Sequence, residues 1–127
     1  MPDAVLHLSR SVTEPARARA FVADRLTGFS PDTCGDAILL VSELVSNVVR
    51  HGALPARMTI ELGEELLHVI VADSGPALPN RPWVSDLLAT SGRGLLIVSS
   101  IAAAWGVVTS VDKVGKEVWF DLELVPT

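Results

Sequence analysis

The sequence predicts an α+β fold, a two-layer sandwich in which helices cover one face of a mixed, mostly antiparallel β-sheet. Two long segments carry helix start and stop residues, and two apolar runs joined by a short turn follow them. The last run alternates apolar and polar residues, which is typical of a strand with one buried face. The length of 127 residues suits a single domain that spans residues 1–127.

Helices are predicted from the residues at their ends. In VTEPARARAFVADRLTG, Thr13 is a suitable N-cap and Gly28 can end the helix. In SPDTCGDAILLVSELVSNVVRHG, Ser30 is the expected N-cap, Pro31 takes the first helical position and Gly52 ends the helix. A third helix is predicted in GRGLLIVSSIAAAWG, where helical periodicity follows two glycines. These helices supply one layer of the sandwich.

Strands are predicted in the remaining apolar runs. AVLHLS is a weakly alternating first strand, and RMTIEL and LLHVIVA form a hairpin around Gly63. LLHVIVA is nearly all apolar, so we expect it to be a central strand that ends at Asp73. VVTSV and EVWFDLEL, joined around Gly115, complete the sheet. Trp119 lies on the polar face of the last strand, so we expect the outer face of the sheet to be partly bare.

Composition and charge exclude several classes of partner. The net charge is −5 and the ten basic residues form no cluster, which argues against nucleic acid and against anionic membrane. No stretch approaches the roughly 18 uninterrupted apolar residues of a membrane span, and the N-terminus lacks the features of a signal peptide. Cys34 is the only cysteine, so a reducing compartment fits best. We expect a soluble, cytoplasmic protein.

A polar stripe runs along the second helix. Glu43, Asn47 and His51 are spaced four apart and therefore share one helix face. An amide oxygen is a hard neutral ligand for Mg²⁺, and a carboxylate can take a proton from a hydroxyl or a water molecule. The alternative is a solvent-facing stripe with an i,i+4 hydrogen bond.

Two glycine-containing segments carry the other candidate chemistry. Asp73 ends an apolar strand and Gly75 follows, so a carboxylate can accept from an amino group while a flat ring lies against the backbone. In SGRGLL, Gly92 and Gly94 open a helix whose unpaired amides, with Arg93, can bind an anion. An ordinary turn and a flexible helix start are the respective alternatives. SGRGLL is neither a dinucleotide fingerprint nor a Walker A loop.

A metal-binding helix, an amine-reading strand end and a phosphate-binding helix start, in this order, describe a Mg-ATP site. From about residue 14 to 124 the chain resembles the GHKL ATP-binding superfamily of gyrase, histidine kinases and MutL. ELVSNVVRHG is similar to its N box, DSGPA to its first glycine box and GRGLLIV to its second. The compact length and the motif pattern most resemble stand-alone anti-sigma-factor serine/threonine kinases. The resemblance implies the histidine-kinase-like ATP-binding fold, with ATP and Mg²⁺ as cofactors.

The resemblance also implies a role for each matching residue. Glu43 would be the general base and Asn47 would hold Mg²⁺. Asp73 would read adenine, with Gly75 beside the ring, and residues 76–91 would form a lid. The remaining nucleotide-binding positions would be Arg50, Ala77, Gly92, Arg93, Gly94 and Leu95.

The chain departs from the family pattern at two places. Ala77 stands where the first glycine box usually has a second glycine. Where many members have a threonine that supports the adenine-binding aspartate, this chain has Gly115-Lys116-Glu117, and we expect a carboxylate, Glu117, in place of the hydroxyl. A carboxylate beside Asp73 would disfavour nucleotide binding.

Competing functions remain open at this point. The resemblance implies a kinase that transfers the ATP γ-phosphate to a small antagonist protein in bacterial transcription regulation. The alternative is a non-catalytic partner-switching module that sequesters a sigma factor or antagonist, with weak or no nucleotide binding. A histidine-kinase catalytic domain fits less well, because we expect no upstream phosphoacceptor helix. Trp119 raises the further hypothesis of a homodimer or partner surface.

Overall fold

The computed structural model describes residues 3–75, 98, 100–109 and 115–127. Along the chain the elements are β1 (Ala4–Leu8), α1 (Glu14–Arg25), α2 (Pro31–His51), β2 (Ala56–Leu62), β3 (Leu66–Asp73), β4 (Ala104–Thr109) and β5 (Lys116–Glu123). The strands form one five-stranded sheet in the order β1-β2-β3-β5-β4. Each neighbouring pair in this sheet is antiparallel, so the part of the sheet described here is not mixed. The predicted α+β class is confirmed, and β3 is the central strand.

Helix α2 begins and ends as the sequence predicts. The Ser30 side chain accepts a hydrogen bond from the backbone N–H of Thr33 at 3.1 Å, which satisfies one of the free amides of the first turn. Pro31 occupies the first turn, where a missing N–H costs nothing. At the other end the N–H of Gly52 donates to the Val48 carbonyl at 2.9 Å. These ends fix which residues form the last turn of α2.

Helix α1 begins at the predicted place but with different contacts. Thr13 precedes the helix, and its side chain makes no capping hydrogen bond. Its hydroxyl lies 2.8 Å from the Ser11 hydroxyl instead. Gly28 has a φ of +96°, in the left-handed region that glycine adopts without a steric penalty. This conformation lets the chain turn sharply between α1 and α2.

The core lies between the helices and one face of the sheet. The apolar side chains of β5 face it, as the alternation predicts, and Phe120 is fully buried. The other large side chains with almost no exposed surface are Val22, Leu26, Leu40, Val41, Val45, Met58, Ile60, Leu67, Val69 and Val98. Within the ranges given above, no helix is both long and apolar enough to cross a membrane.

The outer face of the sheet is half exposed, and Trp119 lies at its centre. The strand register places Trp119 between Ile70 of β3 and Gly106 of β4. A Cβ atom on Gly106 would lie 2.7 Å from the Trp119 indole nitrogen, so the indole rests directly on this glycine. The His68 ring is 5.6 Å away and tilted. Trp119 therefore packs within its own chain, and the homodimer stays a prediction.

Strand β4 corrects one boundary. The sequence predicts a helix through Ala104, Trp105 and Gly106 and a strand from Val107, but the strand begins at Ala104. Trp105 pairs with Phe120 and Gly106 with Trp119 in the sheet. The alanine-rich segment has good local helix propensity, yet pairing with β5 outweighs this weak preference. Tertiary context, which a local pattern does not contain, decides the boundary.

Candidate functional site

Asp73 is held at the end of the central strand by donors from three segments. Its Oδ1 accepts from the backbone N–H of Gly75 at 2.7 Å and more weakly from that of Ala53 at 3.4 Å. The Lys116 ammonium lies 3.1 Å from Oδ1 and 3.1 Å from Oδ2. The Asp73 side chain is only 6% exposed, so this is a fixed, buried anion rather than a surface carboxylate.

Three glycines surround Asp73. A Cβ atom on Gly52 would lie 3.2 Å from the Asp73 carboxyl carbon, and one on Gly75 would lie 2.9 Å from Oδ1. Gly115 has a φ of +123°, and a Cβ there would lie 2.8 Å from the Asp73 carbonyl oxygen. At all three positions a side chain would press on this one residue. Gly52 and Gly75 therefore leave the space in which the carboxylate is seated, and Gly115 lets its segment pass close to the Asp73 backbone.

The end of α2 is fastened to the end of β3. The Ser74 N–H donates to the Ala53 carbonyl at 2.9 Å, and the Ser74 hydroxyl donates to the Pro55 carbonyl at 2.7 Å. Together with the contact of Gly52 on the Asp73 carboxyl carbon, these bonds place Asp73 against the C-terminal end of α2. Ala53 and Asp73 are 20 residues apart in the sequence, and the β2–β3 hairpin brings them together.

The polar stripe on α2 is not uniformly exposed. Asn47 is buried, with 7% of its surface exposed, whereas His51 is exposed. The Asn47 amide oxygen accepts a hydrogen bond from the Arg50 guanidinium at 3.3 Å. Glu43, one turn earlier, is half-buried. A plain solvent-facing stripe therefore does not describe Asn47, because its amide is covered by protein and has a cationic neighbour.

Lys116, and not Glu117, stands beside the candidate base-reading carboxylate. The register of β3 and β5 pairs Asp73 with Lys116 and Ala72 with Glu117. The Glu117 carboxylate is 41% exposed and lies 3.8 Å from the guanidinium of Arg57. The expectation of a carboxylate next to Asp73 is therefore wrong, since successive residues of a strand point to opposite faces. A cation takes that place.

Five predicted nucleotide-binding residues and the predicted lid, residues 76–91, lie outside the described residues. The five are Ala77, Gly92, Arg93, Gly94 and Leu95. The described geometry therefore covers the α2 and β3 parts of the candidate site.

Sequence reasoning did not identify three residues of this site. Gly52 was expected only to end α2, Gly115 only to join two strands, and Lys116 was passed over in favour of Glu117. A signal exists for Gly115, because a glycine directly before a strand favours a left-handed backbone. Gly52 and Lys116 carry no such signal, since their contacts with Asp73 arise only when β3 pairs with β5 and packs beside α2.

The family model described as the histidine kinase-like ATPase domain matches residues 8–122. The chain belongs to this family. The match runs from the end of β1 almost to the end of β5, so it includes α2 and the strand that ends at Asp73. No curated protein matches the chain. As a histidine kinase-like ATPase domain the protein has an ATP-binding function of the GHKL type, which agrees with the resemblance drawn from the motifs.

The described donors of this histidine kinase-like ATPase domain fit a nucleotide-bound Mg²⁺ rather than an ion held by protein alone. In the described part of the chain, no group of three or more His, Cys, Asp or Glu side chains could hold a metal. Asn47 offers a single neutral amide oxygen in a buried setting. Mg²⁺ typically keeps several waters and takes only one or two protein ligands together with substrate phosphates. Asn47 would be that protein ligand.

Proposed function

We propose that this histidine kinase-like ATPase domain is a serine/threonine protein kinase of the anti-sigma-factor type. It would transfer the γ-phosphate of ATP to a small antagonist protein in the bacterial cytoplasm and thereby regulate transcription. The observation that carries the proposal is the buried Asp73 carboxylate, which Gly52 and Gly75 flank beside the end of α2. A carboxylate held in a fixed position can accept a hydrogen bond from an exocyclic amine.

The chemistry assigned to the chain's own residues is limited to a few roles. Asp73 would bind and orient the base, and Asn47 would hold a Mg²⁺ ion, which would supply neutralisation of phosphate charge. The partner's serine or threonine hydroxyl attacks the γ-phosphorus and ADP leaves. Glu43, one turn before Asn47 on α2, takes the hydroxyl proton. Arg50 lies next to Asn47 and offers a positive charge at the same end of the helix.

The experiment is transfer of labelled phosphate from ATP to candidate antagonist proteins by wild type and Glu43→Gln. Loss of a general base typically costs about 10²–10⁴-fold in rate, so we expect the variant to lose transfer while it still binds ATP. Glu64→Gln, an exposed carboxylate in the β2–β3 turn, is the matched control and should transfer at the wild-type rate. Equal rates for Glu43→Gln and wild type would refute the assignment of the base.

A second candidate function is a non-catalytic partner-switching module that sequesters a sigma factor or antagonist. The ion pair of Asp73 with Lys116 favours it, because a carboxylate already paired with an ammonium gains less from a nucleotide amine. Calorimetry with Mg-ATP and Mg-ADP separates the two functions. Binding of neither at millimolar concentration, together with capture of a sigma factor, would leave the sequestering module.

A further inference from the structure

The oxygens of the Asp73 carboxylate already accept hydrogen bonds from donors of the same chain. Its Oδ1 accepts from the amides of Gly75 and Ala53 and from Lys116. Its Oδ2 lies 3.1 Å from the same Lys116 ammonium. A carboxylate has about four lone-pair positions, and most of them are therefore engaged. Oδ1 has three donors and Oδ2 has one, so a ligand amine that approaches Asp73 must share the carboxylate with the Lys116 ammonium.

Burial makes this internal pairing persistent. The side chains of Lys116 and Asp73 are 10% and 6% exposed. An ion pair withdrawn from water is screened much less than one on the surface, and separating two buried charges is costly. By contrast, the neighbouring pair of Arg57 and Glu117 is 52% and 41% exposed at 3.8 Å. The Lys116 ammonium is therefore held more firmly by its carboxylate than the Arg57 guanidinium is.

The Lys116 ammonium lies on the side of the carboxylate that faces Gly75. A Cβ atom on Gly75 would lie 2.9 Å from Asp73 Oδ1 and 3.3 Å from Lys116 Nζ. The missing side chain at Gly75 is the feature that would let a flat ring lie against the backbone. The ammonium therefore borders the same space that a base would use.

We propose that Lys116 is an internal competitor for the base-reading position, and that it lowers nucleotide affinity by holding Asp73. Its ammonium occupies acceptor positions that the exocyclic amine of the base would use. Binding of a base then exchanges one donor for another instead of adding a new hydrogen bond. This inference rests on the proposed assignment of Asp73 to base recognition. It makes Lys116 an affinity-determining residue of the site.

The test is calorimetry on the full chain with adenosine, with Mg-ATP and with inorganic tripolyphosphate. Lys116→Gln keeps a neutral donor of similar length and removes the charge. We expect Lys116→Gln to bind adenosine about tenfold more tightly than wild type, because the base no longer has to displace a charge-assisted hydrogen bond. Adenosine carries no charge, so this gain cannot come from altered attraction of phosphates. Tripolyphosphate affinity should not rise.

Arg57→Gln is the matched control. It removes the same single positive charge from a half-exposed side chain whose strand is paired with β3, opposite Ala72. Its adenosine affinity should equal that of wild type. If Lys116→Gln fails to fold, Lys116→Thr supplies a shorter hydroxyl donor and is measured in its place, with the same expectation.

Each outcome is decisive. Tighter adenosine binding by the Lys116 variant, including binding that wild type lacks, supports the inference. Equal or weaker adenosine binding by the variant, with ATP still bound by wild type, overturns the inference and leaves the proposed function standing. Absence of adenosine and ATP binding in wild type and both variants overturns the inference and the proposed function together.

Discussion

The Arg50 guanidinium donates a hydrogen bond to the Asn47 amide oxygen at 3.3 Å, one turn from the end of α2. Under the proposed function this oxygen would face Mg²⁺, so the arginine and the ion would share one acceptor. Arg50 is exposed and long, and it can turn toward phosphate when an ion arrives. The pair therefore joins a buried amide oxygen to an exposed, positively charged side chain.

Asn47→Ala should lose the magnesium-dependent part of nucleotide binding. We expect the affinity for Mg-ATP to fall at least about tenfold, since changes around a metal ligand typically cost 10–100-fold in affinity. Adenosine binding, which needs no metal, should stay unchanged. Calorimetry with both ligands measures the difference, and Ser46→Ala on the same helix is the control. A parallel loss for both ligands would show that Asn47 supports the fold and not the metal.

Two glycine-to-alanine substitutions should change the free energy of unfolding in opposite directions, because the backbone conformation differs at the two sites. Gly115→Ala is expected to destabilise the fold by more than about 1 kcal/mol, because alanine avoids positive φ; at Gly115 φ is +123° and a Cβ would meet the Asp73 carbonyl oxygen. Gly35→Ala in α2 is the opposite case, since nothing lies within 4 Å of its Cβ position. There we expect stabilisation by about 0.5–1 kcal/mol. Urea unfolding of both variants gives the signs, and a stable Gly115→Ala would contradict the strained geometry.

Glu14 should make the free energy of unfolding depend on pH in the acidic range. This carboxylate is 2% exposed, and hydrogen bonds from Arg17 and from the Ser9 amide lower its pKa below the usual 4.5 against the opposing effect of burial. A lowered pKa in the folded state means that the ionised form is the stabilising one. Its contribution is complete above pH 4.5 and is lost as the pH falls through the folded-state pKa.

Glu14→Gln tests that contribution. At neutral pH we expect the variant to unfold with about 1–3 kcal/mol less free energy than wild type, because a charge-assisted hydrogen bond becomes a neutral one. The difference should shrink as the pH falls below 4.5. Urea unfolding across this pH range measures it, with Glu65→Gln in the exposed turn as the control. A difference that does not change with pH would contradict the assignment.

Gly106→Ala should displace the Trp119 indole. The added methyl group would lie 2.7 Å from the indole nitrogen, closer than any side-chain contact allows. We expect a loss of about 1–3 kcal/mol in the free energy of unfolding and a shift in tryptophan fluorescence. Ala104→Val, at an exposed site on the same strand, should change stability by less than about 0.5 kcal/mol. An unchanged spectrum in Gly106→Ala would mean that the indole does not rest on this glycine.

Local patterns predicted most of the fold. The capping residues Ser30 and Gly52 located α2, because a cap acts on amides a few residues away. The alternation in β5 identified its buried face, because side chains in a strand alternate between the two faces. The start of β4 was wrong, since pairing with β5 depends on residues far along the chain. The motifs also predicted the superfamily, which the family match confirms.

The sequence by itself determined where α2 begins and ends, which strand is central and which carboxylate closes it, since these follow from short-range hydrogen bonding and side-chain periodicity. Only the tertiary structure decided what stands beside that carboxylate. The register of β3 and β5 brings Lys116 to Asp73 and turns Glu117 away. The alternation in β5 places Lys116 on the face of Val118 and Phe120 and Glu117 on the other, but it does not say which residue of β3 lies opposite. A shift of two residues would keep both faces and move Lys116 away from Asp73, and this pairing joins positions forty-three apart in the sequence.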